Sequence, residues 1–326
     1  MRVSLRTEPR APLPPQVRAL EPWRDGRQLA ALIEATFSQE EIGFVGSRMI
    51  ELLRNYGQYE PMAFGLGSSF VWIEGGRLIG NASIQRNPAH RGVWIIGNVA
   101  TDPAYRRRGV AQAVVEACVR YAMAHGARFV ALLVDQENTV AQSLYGKFGF
   151  EPLGVTTYYL RTSLHEQPPV SAPLALDLFV RSARWSDRRA IWNLARMNIP
   201  DELTYAEPFD AGLYKLGVWW STRNFLMGEP EQWQVLQRAS SDVVLGAVRS
   251  HISREGPHHH IELMLDDAVK NEFGEFLLDA ALQRFAPLAA MPISAAQSWP
   301  HEAARAALMR AGFRPQRSLI HMRRHV

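Results

Sequence analysis

The chain has 326 residues, 47% of them hydrophobic, enough to bury two cores of ordinary domain size. A net charge of +4 is too weak to argue for a nucleic-acid partner, and an excess of arginine that leaves Lys147, Lys215 and Lys270 as the only lysines reads as a compositional bias, not a binding stripe. No apolar run reaches membrane-spanning length, and the single cysteine, Cys118, has no partner for an internal disulfide, so a cytoplasmic protein with no membrane partner is expected.

In chain order, Met1 to Pro15 holds arginines and prolines but no apolar core of a signal peptide. Glu40 and Glu41 follow the first helical segment and read as a solvated pair, with attraction of a cationic amine as the functional alternative. Val93-Trp94-Ile95-Ile96 is a buried strand that Asp102-Pro103 breaks. From Ala111 the apolar residues Val114, Val115, Cys118, Tyr121 and Ala122 recur at helical spacing as far as Gly126. Arg106 to Gln112 therefore forms a helix N-terminus, where unpaired N–H groups and the positive end of the dipole stabilise an anion such as a pyrophosphate. Gly109 keeps no side chain in the way, and Arg106, Arg107 and Arg108 add charge. Arg128 to Val134 is a second buried strand, and Asn138 precedes a helix from Thr139 to Phe148 closed by Gly149. Taken alone, Asn138 is as readily a helix cap as a ligand contact, and Tyr145 a half-buried core tyrosine.

The chain also echoes itself. Val17-Arg18 returns as Val180-Arg181, Trp23-x-Asp25 as Trp185-x-Asp187, and Gly149-Phe150 as Gly312-Phe313, each after 162 or 163 residues. A shift that is nearly constant over a domain length points to duplication. The expected organisation is a first domain over 1–164, a proline-rich linker over 165–175 and a second domain over 176–326, as a monomer or homodimer. In the second half, the turn after the strand His260 to Leu265 carries Asp266, Asp267, Glu272 and Glu275, which oppose a pyrophosphate, and the counterparts of Asn138 and Tyr145 are His301 and Leu308. An aromatic stretch with Tyr205, Phe209, Tyr214, Trp219, Trp220, Phe225 and Trp233 suits a second core, an interface or a substrate wall. His258-His259-His260 is not read as a metal site, because consecutive strand residues point to opposite faces and no ligand cluster follows.

Arg106-x-x-Gly109-x-Ala111, followed by Asn138-x-x-Ala141-x-x-Leu144-Tyr145 and Gly149-Phe150, resembles the GCN5-related N-acetyltransferase (GNAT) superfamily over roughly Gly80 to Leu160. The resemblance implies an α/β fold, a mixed twisted sheet flanked by helices, in two tandem copies of which the C-terminal one is degenerate. It implies acetyl-CoA as co-substrate, its pantetheine arm on the backbone of Val99, Ala100 and Thr101 and its pyrophosphate on the amides of Arg107, Arg108, Gly109, Val110, Ala111 and Gln112. Asn138 would contact the cofactor or the following loop, and Tyr145 would protonate the departing thiolate. The reaction implied is direct attack by an amine, with a small-molecule amine expected as acceptor. A protein N-terminus or lysine is the alternative, and a non-catalytic acyl-CoA sensor the alternative of another class. In ribosomal-protein alanine acetyltransferases a glutamate on the strand before the asparagine is the base; Leu133 stands there in this chain, so the base is unassigned.

Overall fold

A computed structural model describes residues 12–37, 68–87, 90–162, 177–203, 216, 231–252, 258–267, 269, 271–283, 285, 291–298 and 301–326. Glu40, Glu41, the expected linker at 165–175 and all of the aromatic stretch except Trp233 lie outside these residues. By contacts the chain forms two units, one of Met1–Leu133, Val140–Glu151 and Met322–Val326, the other of Val134–Thr139 and Pro152–His321.

The first unit is built on strands β1 (Val17–Ala19), β2 (Ser68–Glu74), β3 (Arg77–Arg86), β4 (Val93–Thr101) and β5 (Phe129–Asp135), adjacent in that order. β1 to β4 are antiparallel neighbours and β5 runs parallel to β4. Helix α1 (Pro22–Thr36) buries Leu29, Ala30, Leu32 and Ile33 against Val71, Leu78 and Ala100, one face of the sheet. Helix α2 (Val110–Ala124) turns Val114, Val115, Cys118 and Ala122 inward, at the spacing the sequence predicts. Helix α3 (Thr139–Lys147) follows β5. The chain's last residues belong to this unit too: the Val326 N–H donates to the Arg128 carbonyl at 3.1 Å, and the His325 ring packs edge-on to Phe129.

The second unit orders its strands β12 (Arg314–His325), β6 (Glu151–Arg161), β11 (Ile293–Ser298), β10 (His259–Leu265), β9 (Val244–His251), β8 (Glu231–Arg238) and β7 (Leu178–Ser182). Helices α4 (Arg188–Met197), α5 (Asn271–Leu282) and α6 (Glu302–Arg310) complete it, with Leu277, Leu278, Phe285, Leu308 and Phe313 in its main core. The units thus depart from the limits 1–164 and 176–326. β6 pairs along β11 from Thr156↔Ser298 to Arg161↔Ile293, and these backbone bonds draw 152–161 into the second unit.

The echoed residues have a physical role. In the first unit the Arg18 guanidinium grips Asp25 through two bonds of 2.6 and 2.8 Å, while Asp25 Oδ2 also accepts the Glu21 N–H at 2.9 Å. In the second, Arg181 grips Asp187 at 2.6 and 2.9 Å and Asp187 Oδ2 accepts the Arg184 N–H at 2.6 Å. Each clamp ties a first strand to the helix after it. Gly149 and Gly312, at φ +75° and +84°, close α3 and α6 alike, and the next N–H, of Phe150 or Phe313, donates back to the carbonyl of Tyr145 or Leu308 at 3.1 or 3.0 Å.

Both aspartates are almost fully buried, so Asp25→Ala or Asp187→Ala strands an arginine and is expected to cost about 2–4 kcal/mol. Hydrogen exchange should quicken in α1 for the first and in α4 for the second. The second unit should also weaken in mild acid. Burial lowers the pKa of His259 and takes that of His260 to about 4, with Arg249, His251 and His258 adding to the latter. The unfolded chain then binds more protons than the folded one between about pH 6.5 and 4, so stability falls as pH drops through that window. Denaturant midpoints across that window check this, and His260→Gln should flatten the dependence.

Candidate functional site

β4 and β5 pair from Val93↔Phe129 to Ile96↔Leu132, and β4 then continues to Thr101 with β3 on one side and, among the described residues, no strand on the other. The strand is longer than Val93 to Ile96 because β3 carries it onward. Its register against β3 slips between Ser83↔Gly97 and Asn81↔Ala100, so that Asn98 and Val99 together oppose Ala82. Asn98 takes φ +51°, a conformation that asparagine tolerates better than most residues. Side chains hold this bulge: Asn81 Nδ2 donates to the Asn98 carbonyl at 2.9 Å, and the Ser83 hydroxyl donates to the Gly97 carbonyl at 2.9 Å. Val99, Ala100 and Thr101 therefore present one edge of backbone groups to an open side of the strand. The Thr101 hydroxyl is buried with no hydrogen-bond partner among the described residues.

After β4, the Asp102 N–H donates to the Ile79 carbonyl at 2.8 Å and Asp102 Oδ1 accepts the Ala104 N–H at 2.9 Å, starting a short turn over Pro103–Tyr105. Arg107 and Gly109 then adopt φ +62° and +80°, and α2 begins at Val110. The first bond of the helix runs from the Ala113 N–H to the Gly109 carbonyl at 3.0 Å. The N–H groups of Val110, Ala111 and Gln112 are consequently without intrahelical acceptors, behind an exposed Gly109. Arg106, Arg107 and Arg108 are exposed; Arg108 lies 3.9 Å from Glu74 and over the Tyr105 ring, which leaves Arg106 and Arg107 as the more available charges. This combination of amides, a dipole end and guanidinium groups is a receptor for a polyanion.

Gly80 sets how closely α2 approaches the sheet. A Cβ there would stand 2.3 Å from Cγ1 of Val110, so only glycine lets the first turn of the helix rest on β3.

Tyr145, on α3, is buried and packs edge-on to Phe150. Burial, then the neighbouring Cys118, pushes its phenol up to about 12, so it stays protonated across the physiological range. Cys118 sits on α2 with Sγ 3.6 Å from the carbonyl of Ala82, the residue facing the bulge, and burial raises its thiol as well. Strand edge, turn, helix N-terminus and phenol all belong to the first unit, the phenol adjoining α2 at Cys118. Asn138 falls in the second: exposed, directly before α3, it donates its N–H to the Asp135 carbonyl at 3.0 Å. Leu133 is 39% exposed and can take no proton. Asp135 has one oxygen on the Arg317 guanidinium at 2.7 Å and the other on the Glu137 N–H at 2.8 Å, which makes it a poor base. Reading the sequence missed Gly80, Asn81, Ser83 and Asn98; the signal was the run Gly80-Asn81-Ala82-Ser83, small and polar inside an otherwise buried strand.

The corresponding place in the second unit is closed. Both backbone groups of Leu265 are taken by Asn198, whose Nδ2 donates to the carbonyl at 3.0 Å and whose Oδ1 accepts the N–H at 3.4 Å. Asp266 and Asp267 follow, Glu275 is paired with Arg310, and His301 caps α6 through Nδ1. Leu308 lies wholly in the core.

Residues 30–150 match the model of the Acetyltransferase (GNAT) family. The mycothiol acetyltransferase of Corynebacterium glutamicum is 34% identical over 82 residues, 25% of this chain and 27% of that protein. The alanine N-acetyltransferase of ribosomal protein bS18 from Haemophilus ducreyi is 36% identical over 62 residues, 19% and 43% of the two chains. The chain thus spans well under half the length of these relatives. Among solved structures, a GCN5-related N-acetyltransferase from Sphaerobacter thermophilus is similar with a TM-score of 0.63 at 16% identity, over 96% of this chain and 97% of that one. A tandem GNAT protein from the clavulanic acid biosynthesis pathway gives 0.56 at 12% identity, over 93% and 94%. These likenesses establish the mixed α/β fold expected from the sequence.

Gly80→Val is expected to lift the first turn of α2 from β3 and destabilise the first unit by about 1–3 kcal/mol. Faster hydrogen exchange at the Ala113 and Val114 amides, with α1 unaffected, is the result that checks it.

Proposed function

We propose that this chain, whose residues 30–150 match the GNAT acetyltransferase family model, transfers an acetyl group from acetyl-CoA to a primary amine by direct attack, at the site formed by β4, the turn before α2 and Tyr145. The observation that carries this reading is the edge of β4 beyond Ile96, unpaired among the described residues and followed, after the turn at 102–109, by the amides at the start of α2. Acetyl-CoA supplies an activated acetyl thioester. The backbone of Val99, Ala100 and Thr101 offers in-plane hydrogen bonds to the amide-bearing pantetheine arm, much as an added strand would receive them. Arg106 and Arg107, with the N–H groups from Gly109 to Gln112, fit its phosphates.

Tyr145 serves the leaving group. Its phenol, held near 12, is a weaker acid than a thiol of about 8.5, so complete transfer of its proton to sulfur is uphill by about 5 kcal/mol. Tyr145 therefore acts by donating a hydrogen bond to sulfur as negative charge gathers there, and the proton that finally completes the thiol comes from the amine nitrogen, which must lose one. Atoms balance: the C–S bond breaks, the C–N bond forms, and one proton passes from nitrogen to sulfur.

The acceptor we favour is a small-molecule amine. The mycothiol acetyltransferase among the relatives bears a small-molecule name, whereas the bS18 enzyme is named for a protein. Asn138 is assigned a role at the cofactor or the following loop on the strength of its place directly before α3. The second unit, with Asn198 filling its counterpart site, binds no acetyl-CoA of its own in this reading.

CoA release is measured with benzylamine, tyramine, spermidine and an alanine-initiated peptide as acceptors. Turnover with a free amine exceeding that with the peptide supports the proposal; tight acetyl-CoA binding with no turnover on any acceptor overturns it. Tyr145→Phe should lower kcat by about 10²-fold or more and leave the acetyl-CoA Kd within twofold. Since Leu133 provides no base, kcat/KM for spermidine should climb about tenfold per pH unit between 7 and 9, following the neutral fraction of an amine with pKa about 10.4. Tyr145→Phe should not alter that slope.

A further inference from the structure

Asn81 is 1% exposed, and its amide is oriented by one bond only, from Nδ2 to the Asn98 carbonyl at 2.9 Å. That bond fixes which end of the amide is which, leaving Oδ1 as an acceptor buried with no donor among the described residues. A buried amide oxygen left unpaired is destabilising by about 1–3 kcal/mol, and in native proteins such atoms are few and call for an explanation. Here the location supplies one. Asn81 stands opposite Ala100 on the neighbouring strand, and its side chain reaches over the bulge at Asn98 and Val99, on the face of the sheet that also bears Val71 and Ala100.

Resting on the function proposed above, we infer that Asn81 Oδ1 is a binding group for the acceptor amine, receiving one of its N–H bonds while its lone pair faces the thioester. Two donors would come near this place, the amine and an amide of the pantetheine arm. The arm, bound as proposed above, would lie in the plane of the sheet, where the free edge of β4 can receive it. Asn81 instead projects out of that plane, on the face against which α1 packs Leu29 and Ile33, so an amine reaching Oδ1 would come in beside α1 toward a thioester held at the β4 edge. As the C–N bond forms, positive charge grows on nitrogen and strengthens its N–H bond to Oδ1, so the contact contributes more in the transition state than on binding. Nothing is consumed at Asn81, and the proton remains on nitrogen until it passes to sulfur.

Asn81→Leu keeps the size and removes the acceptor. With the fastest amine of the panel above, it should lower kcat/KM for the amine tenfold or more, with the acetyl-CoA Kd, by calorimetry, within twofold. Asn81→Asp, which retains an oxygen acceptor, should recover most of the loss. Asn81→Ala leaves space in place of the amide, and it gives the same split should the leucine substitution unfold the unit. An acetyl-CoA Kd raised in parallel with the loss assigns Asn81 to the cofactor or to bracing of the bulge and overturns the inference, as does an unchanged kcat/KM in an active wild-type background. A wild type that binds acetyl-CoA and acetylates nothing defeats the functional reading itself, and this inference with it.

Discussion

A β-strand that loses its neighbour halfway along must satisfy its own edge, and that constraint at β4 governs the first unit. β5 stays with β4 only as far as Ile96, yet β4 remains extended to Thr101 because β3 continues to pair with it. The register slip at Asn98 makes this compatible with a sharp exit into α2: one extra residue re-aims the strand, and Asn81 and Ser83 absorb the carbonyls that it displaces. From there Asp102, Gly109 and the missing side chain of Gly80 follow as requirements of one path, which must leave the sheet, reverse, and set a helix start close against the strand just left. A free strand edge and a free helix start then lie in succession along the same stretch of chain. Such a succession suits a long ligand with amides at one end and phosphates at the other.

The second unit keeps the corresponding strand end but closes it differently. Its fourth strand ends as the first unit's does, with the Asp266 N–H on the Leu245 carbonyl in the way that Asp102 meets Ile79. Asn198 then closes the strand end from within, where in the first unit the Thr101 hydroxyl has no partner among the described residues. The carboxylates that follow would repel an anion, and one of them, Glu275, is paired with Arg310. Leu308 in place of Tyr145 completes a core that would otherwise have to bury a phenol.

The parts of the site written in local sequence were readable in it. Gly109 between arginines and an apolar helix, and Gly149-Phe150 after a short helix, are signals whose causes lie within a few residues, and the structure places both in positive-φ positions at helix ends. The echo between the halves was readable because Arg18 with Asp25 and Arg181 with Asp187 are short-range pairs. What could not be read depends on two strands at once. The bulge is a property of the register between β3 and β4, and nothing in Gly97-Asn98-Val99 alone says that Ala82 will face two residues. The allegiance of 152–161 to the second unit rests on bonds to β11, more than a hundred residues away, and leaves no mark in composition. Tyr145 was legible as a residue, but not how far burial weakens its acidity.

That weakening bears on the division of labour in the reaction proposed above. A phenol near 12 gives up its proton to a thiolate only reluctantly, and Leu133 can take none from an amine. At pH 7 an alkylamine is neutral only at a free-energy cost of about 4–5 kcal/mol, so the site must recover this through placement instead of proton transfer. Placement can do so, because alignment of two bound reactants is worth about 7–11 kcal/mol when the geometry is held. The rigid elements around the bulge are the means: Gly97 and Asn98 pinned by side chains, α2 seated on Gly80, and the phenol wedged against Phe150. If the site works by position, as proposed, the Arg18–Asp25 and Arg181–Asp187 clamps fix the strand and helix on which each unit is built, whereas the strand edge, amides and phenol assigned to the ligand stand in the first unit alone.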